Sequence, residues 1–136
     1  MLPSWPEGTV CVLATAGGSP HAIPVSTAVR AGPRRVLLAL SLRRASLARL
    51  REDPRVALTV LTAGLSFTIE GRASVVPEGV EGARGVAVVR IDVDGLSDHG
   101  DPRYELEAGV RWRWTDPQAD AKDRQVRAAL RALADA

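Results

Sequence analysis

Aromatic residues are scarce in this chain: three Trp, one Tyr and one Phe among 136 residues. Single-stranded nucleic acid is held on stacking platforms, and so few rings leave little to build them from. The net charge of +2 is also too small to announce a nucleic-acid partner, and the basic residues are interleaved with Asp and Glu. Cysteine occurs once, so an intramolecular disulfide is excluded; Cys11 lies inside an apolar run and is expected as a buried, inert thiol. No apolar run approaches the length of a membrane span. The opening Met1-Leu2-Pro3-Ser4-Trp5-Pro6 does not read as a signal peptide, which makes cytoplasmic residence the default expectation. Also lacking are a glycine-rich phosphate loop, a Ser-His-Asp or Cys-His spacing, any internal repeat and any low-complexity segment. Lysine occurs once, at Lys122, so nearly all positive charge is arginine. That bias favours planar, bidentate contacts to phosphate or carboxylate.

What is present is a well-patterned single domain, residues 1–136, with 46% apolar residues and thus enough for a core. Residues 1–8 form an arm with two prolines, and Trp5 is placed to tack it onto the body or a second subunit. Thr9–Thr15 reads as a buried strand, and Ala16-Gly17-Gly18-Ser19 as a hairpin turn. Pro20–Arg30 reads as one strand with His21, Ile23, Val25, Thr27 and Val29 on a single face. Pro24 interrupts its ladder, so an edge, a bulge or a ligand-facing gap is expected there. Val36–Leu40 is continuous in its apolar residues and is expected to be buried on both faces. A short helix follows over Ala45–Glu52 with Leu47 and Leu50 inward, ended by Pro54.

Strands are then expected over Arg55–Leu61 and Ser66–Val76, with Gly71 where a tightly curled strand needs glycine. After a polar linker at Pro77–Arg84 come strands at Val86–Val93 and, from its alternation, Tyr104–Thr115. Leu96–Arg103 is expected as a loop, in which His99 with Asp98 and Asp101 makes only a weak metal constellation. Asp116 caps and Pro117 opens a final helix, residues 116–135, with Val126, Ala129, Leu130 and Leu133 as its stripe. The fold class is therefore mainly β: a split β-barrel of six to seven antiparallel strands, one short inserted helix and one C-terminal helix. Most connections are too short for parallel crossovers.

Candidate site residues gather at the junction between Val36–Leu40 and the short helix. Ser41, Arg43, Arg44 and Ser46 surround a helix start, whose first amides lack partners and carry partial positive charge, which suits a phosphate. A solvated turn is the plainer alternative. Pro24, Val25, Ser26 and Thr27 can offer backbone groups where Pro24 breaks the ladder. Trp112 and Trp114 point the same way, for core or dimer packing or for stacking on a ring. His21 is expected as a satisfied structural histidine, and Arg49 and Arg51 as surface charge.

Four segments, in this order, carry a resemblance: His21-Ala22-Ile23-Pro24-Val25, Val36-Leu37-Leu38-Ala39-Leu40-Ser41, Leu50-Arg51-Glu52-Asp53-Pro54-Arg55-Val56-Ala57-Leu58 and Ile69-Glu70-Gly71-Arg72-Ala73. The chain resembles the FMN-binding split-barrel proteins, the pyridoxamine 5′-phosphate oxidase-like superfamily, which includes enzymes using the deazaflavin F420. The likeness runs well from Thr9 to Val76 and more loosely from Val86 onward. It implies a homodimer with FMN, or alternatively F420, in a groove between subunits. It also implies a phosphate near Ser41–Ser46, and hydride transfer to a small-molecule substrate. Cofactor contacts are then expected from Pro24, Val25, Ser26, Thr27, Ser41, Arg43, Arg44, Ser46 and Trp112. The Ser-Arg-Lys of many members has no lysine counterpart here, and the oxidase's C-terminal substrate signature is not evident. The sequence offers no catalytic acid or base. The alternative is a non-enzymatic split barrel binding haem or another ligand, or a dimeric scaffold.

Overall fold

The computed structural model describes residues 2–77, 79 and 84–136. Its strands are β1 (Cys11–Thr15), β2 (His21–Val25), β3 (Val29–Arg30), β4 (Arg35–Ser41), β5 (Arg55–Thr62), β6 (Leu65–Val75) and β7 (Val86–Asp98). Helix α1 (Ala45–Glu52) follows β4, and α2 (Pro117–Ala134) ends the fold. The strands form one sheet in the order β2-β1-β5-β6-β7-β4-β3, with every pairing antiparallel. The split barrel expected from the sequence is the architecture found.

Topology explains why the sheet curls. Its two edges, β2 and β3, are neighbours in the chain, joined only by Ser26-Thr27-Ala28. Three residues span at most about 11 Å, so a seven-stranded sheet must roll until its edges nearly meet. A slot is left where the edges fail to pair. Thr27 partly bridges it: its hydroxyl donates to the Ala39 carbonyl at 3.1 Å and accepts the Ala39 N–H at 2.9 Å. Pro24, which has no N–H to offer, sits in the edge strand β2, as its chemistry requires. The expected single strand Pro20–Arg30 is therefore two, on opposite edges. Ile23 and Val25 belong to the barrel interior and Val29 to a second cluster outside it.

The interior is filled by alternate residues of each strand, including Leu13, Leu38, Leu58, Val60, Ile69 and Ile91, all at most 1% exposed. β4 is buried on both faces: Val36, Leu38 and Leu40 point into the barrel, while Leu37 meets α2. There Val126, Ala129 and Leu130 pack on Val29, Leu37 and Val88, so α2 covers the outside of the β3-β4-β7 wall. Asp116 accepts the Gln118 N–H at 3.0 Å, and Pro117 opens the helix. The N-terminal arm is fastened to this same body. The Trp5 indole donates to the Ala28 carbonyl at 2.9 Å, and its ring lies 6.0 Å from Phe67.

Three expectations need correction. β7 continues to Asp98, so the first part of the expected loop Leu96–Arg103 is strand. Tyr104–Thr115, despite its alternation, forms no strand. The two sheet edges face one another across the slot, and this segment is held only by isolated bonds such as Gly64 N–H to the Leu106 carbonyl at 2.9 Å. Its apolar side chains stay in solvent, with Val110 65% exposed. Arg49 is not idle surface charge: it donates to the carbonyls of Gly17 (2.8 Å) and Ser19 (2.6 Å), pinning the β1–β2 turn to α1. Most of the expected linker Pro77–Arg84 lies outside the described residues.

Candidate functional site

The slot between the sheet edges opens into a cavity of about 260 Å³. One wall is the β2–β3 connection, Pro24, Val25, Ser26 and Thr27; another is the end of β4, Ala39, Leu40 and Ser41, continued by Arg44. Val86 from β7, Trp114, and Ala119, Lys122, Asp123 and Val126 from α2 close the third side. Six of the nine candidate residues are thus brought to one place by the way the sheet rolls.

The other three stand apart. Ser46 is wholly buried, and its Oγ lies 3.1 Å from His21 Nε2, a contact that ties α1 to β2 and uses up the hydroxyl. That contact satisfies His21 as a structural residue. Arg43 is exposed and off the cavity. Trp112 donates its indole N–H to the Gly8 carbonyl at 2.8 Å and braces Trp114 edge-on, with ring centroids 5.6 Å apart. The ring that reaches the cavity is Trp114.

At the β4–α1 corner the turn is closed by the Arg44 N–H to the Ser41 carbonyl at 2.9 Å. The Ser41 hydroxyl accepts weakly from the Arg43 N–H, at 3.4 Å. No side chain caps α1, whose N-cap is Arg44 itself. The first turn of this helix keeps its unpaired amides beside an arginine, a combination that favours negative charge. Across the cavity the chain's one lysine, Lys122, completes a pair of cations; a Cβ on Gly85 would lie 3.1 Å from its Nζ.

Lys122 and Asp123 were not among the candidates from sequence. Their signal was spacing: Ala119, Lys122, Asp123 and Val126 continue the buried stripe of α2 one turn back, toward its start. Two polar residues on an otherwise apolar face mark the place where that face leaves the core and meets the cavity.

Titratable groups elsewhere are tied to local structure. Burial pushes the Cys11 thiol up to about 12, which keeps it protonated and inert. Hydrogen bonds from Arg55 hold Asp53 down at about 2. Arg103 lowers Asp101 in the same way. His99 pairs with the Thr68 hydroxyl at 2.8 Å on the outer sheet face, and Asp98 accepts the Gly100 N–H at 2.7 Å. Among the described residues no group of His, Cys, Asp and Glu is arranged to hold a metal. No helix among them is long and apolar enough to cross a membrane.

Residues 3–92 match the family model described as Pyridoxamine 5′-phosphate oxidase. The chain belongs to that family. Its match spans the barrel up to Asp92 and leaves out α2, so the oxidase-like family pattern carries Arg44 but not Lys122 or Asp123. Among solved structures, HupZ of Group A Streptococcus superposes with a TM-score of 0.59 at 15% identity, over 76% of this chain and 90% of that one. An FAD-binding protein from Mesorhizobium loti gives 0.54 at 18% identity, over 65% and 81%. A structure named F420 reductase gives 0.56 at 12% identity, over 67% and 90%. At such identities the likeness is one of fold. No curated protein matches the chain in sequence.

Proposed function

We propose that this oxidase-like protein binds FMN or F420 in the slot between its sheet edges and works as an oxidoreductase on a small molecule. The observation that carries the reading is the composition of the cavity. A cationic rim, Arg44 and Lys122, stands beside an interior of backbone, Leu40, Val86, Val126 and the Trp114 ring. A flat ring with an acidic tail needs those two kinds of surface and little else. When bound, such a group supplies the hydride chemistry. The chain's own residues would hold the tail at Arg44, Lys122 and the first amides of α1, and shelter the ring against Trp114. Haem is less well served, because the cavity lining contains neither His nor Cys. Titration with FMN and with F420, followed by fluorescence, is expected to saturate with one of them at one site per chain. No saturation with either ends the proposal.

The cavity, at about 260 Å³, falls below the usual range of roughly 300–1,000 Å³ for ligand pockets. A second copy of the chain would enlarge it. The outer sheet face offers a seat: Pro24, Val12, Thr59, Thr68 and Ser97 form an unbroken row across five strands. Val12 is 40% and Leu61 42% exposed on that face, and Pro24 belongs to both the row and the cavity. A homodimer covering this row completes the slot at Pro24. Sedimentation at micromolar concentration is expected to give the mass of two chains, and Leu61→Glu to give one. A strict monomer in the unmodified protein removes the partner from the proposal.

A further inference from the structure

We infer that Asp123 is a specificity-determining residue of the cavity: its carboxylate accepts a hydrogen bond from an N–H or O–H of the bound ligand. The inference rests on the proposed cofactor site and deepens it. Asp123 lines the cavity, yet its side chain is only 6% exposed. Arg127, one turn on, brings Nη2 to 2.9 Å from Oδ2, but no N–H is directed at that oxygen. Oδ2 therefore has no hydrogen-bond donor among the described residues, and Arg127 Nε is likewise unmatched. The facing wall cannot supply one, because the Thr27 hydroxyl is already committed to Ala39 on both sides.

A buried carboxylate accepts only, and it wants several donors. Placed in a cavity that attracts anions, it repels any part of the ligand bearing negative charge and attracts any part bearing a polar hydrogen. Lys122 and Asp123 are consecutive on α2, so they diverge by about 100° around its axis and serve different parts of the space. The ligand is thereby oriented: acidic tail toward Arg44 and Lys122, polar hydrogen toward Asp123. A phosphorylated heteroaromatic with an imide N–H, or with a hydroxylated chain, has both. A ligand with acceptors alone at that point is turned away.

The test compares riboflavin and FMN, which share ring and hydroxyls and differ in the phosphate, on the full chain and its variants. Asp123→Leu is expected to weaken both ligands alike, by about tenfold, because the lost contact is not to phosphate. Asp123→Asn, which keeps an acceptor oxygen, is expected to weaken both by only about threefold. Thermal melts establish that each variant is folded. If Asp123→Leu does not fold because Arg127 is stranded, Asp123→Leu/Arg127→Leu removes both charges and carries the same expectation. Unchanged dissociation constants with a lowered melting temperature would make Asp123 a structural partner of Arg127 and overturn the inference. So would tighter binding of FMN, which would show repulsion as the dominant effect. In both cases the cofactor site itself stands; failure of the unmodified protein to bind either ligand overturns the two together.

Discussion

Gly71→Val is expected to leave little folded protein at room temperature, and Gly71→Ala to cost about 3 kcal/mol of stability. Gly71 is in β6, beside the register shift that separates Glu70 from it and sets it opposite Val93 of β7. A Cβ built there would stand 2.3 Å from the Asp92 carbonyl oxygen and 2.9 Å from Ile91 Cγ2. The oxygen belongs to the backbone of β7, and Ile91 is fully buried, so neither neighbour can give way cheaply. The strain would fall on the long β6–β7 ladder, which carries nine paired positions in the middle of the sheet. Overpacking a core by a methylene typically costs about 1–3 kcal/mol, and domains are stable by only about 5–15 kcal/mol. Valine adds two more methyls to an atom that already collides. Urea unfolding followed by circular dichroism measures the loss. Gly95→Ala is the control, because it stands across the same bulge with nothing within 4 Å of its new Cβ. If Gly71→Ala unfolds at the same urea concentration as Gly95→Ala, the bulge is looser than described.

Gly71 also shows how far the chain can be read before it is folded. Its place on an inward face of a curled strand was legible, since alternation fixes which residues share a face. The reason was not freedom of φ, because Gly71 is not among the positive-φ glycines; it is the close approach of a strand distant in sequence. Local signals were read well wherever chemistry is local. Pro54 ends α1, Asp116 and Pro117 start α2, and the double-faced apolar run of β4 is buried on both sides. Misreadings came where the outcome depended on what remained available to pair. Tyr104–Thr115 has a strand's alternation but meets no sheet edge, and Pro20–Arg30 has one strand's pattern but must cross from one edge to the other. The site follows the same division. Pro24–Thr27, Ser41 and Arg44 were legible because a broken ladder and a helix start are local events. Lys122 and Asp123 were not, because only the docking of α2 brings them to the slot.

Arg44→Ala/Lys122→Ala is expected to weaken FMN about 100-fold while changing riboflavin less than about threefold. Charge-assisted hydrogen bonds to an ionised group contribute about 1.5–3 kcal/mol each, and a factor of ten corresponds to about 1.4 kcal/mol. Both side chains belong to exposed residues at the mouth of the cavity, where water screens them, so the lower end of that range applies. Riboflavin has no phosphate and should be indifferent to the rim. The remaining affinity for FMN should lose most of its dependence on salt, because the screened interaction is the one removed. The neighbouring substitution decides between two positions one residue apart. Arg43 carries the same charge at the same turn but points away from the cavity, and Arg43→Ala is expected to change FMN binding less than about threefold. Placement, not positive charge as such, is what the α1 corner contributes. Equal losses in Arg43→Ala and Arg44→Ala would mean that the phosphate is drawn by the general field of the basic turn, and that the slot between β2 and β4 is not where it rests.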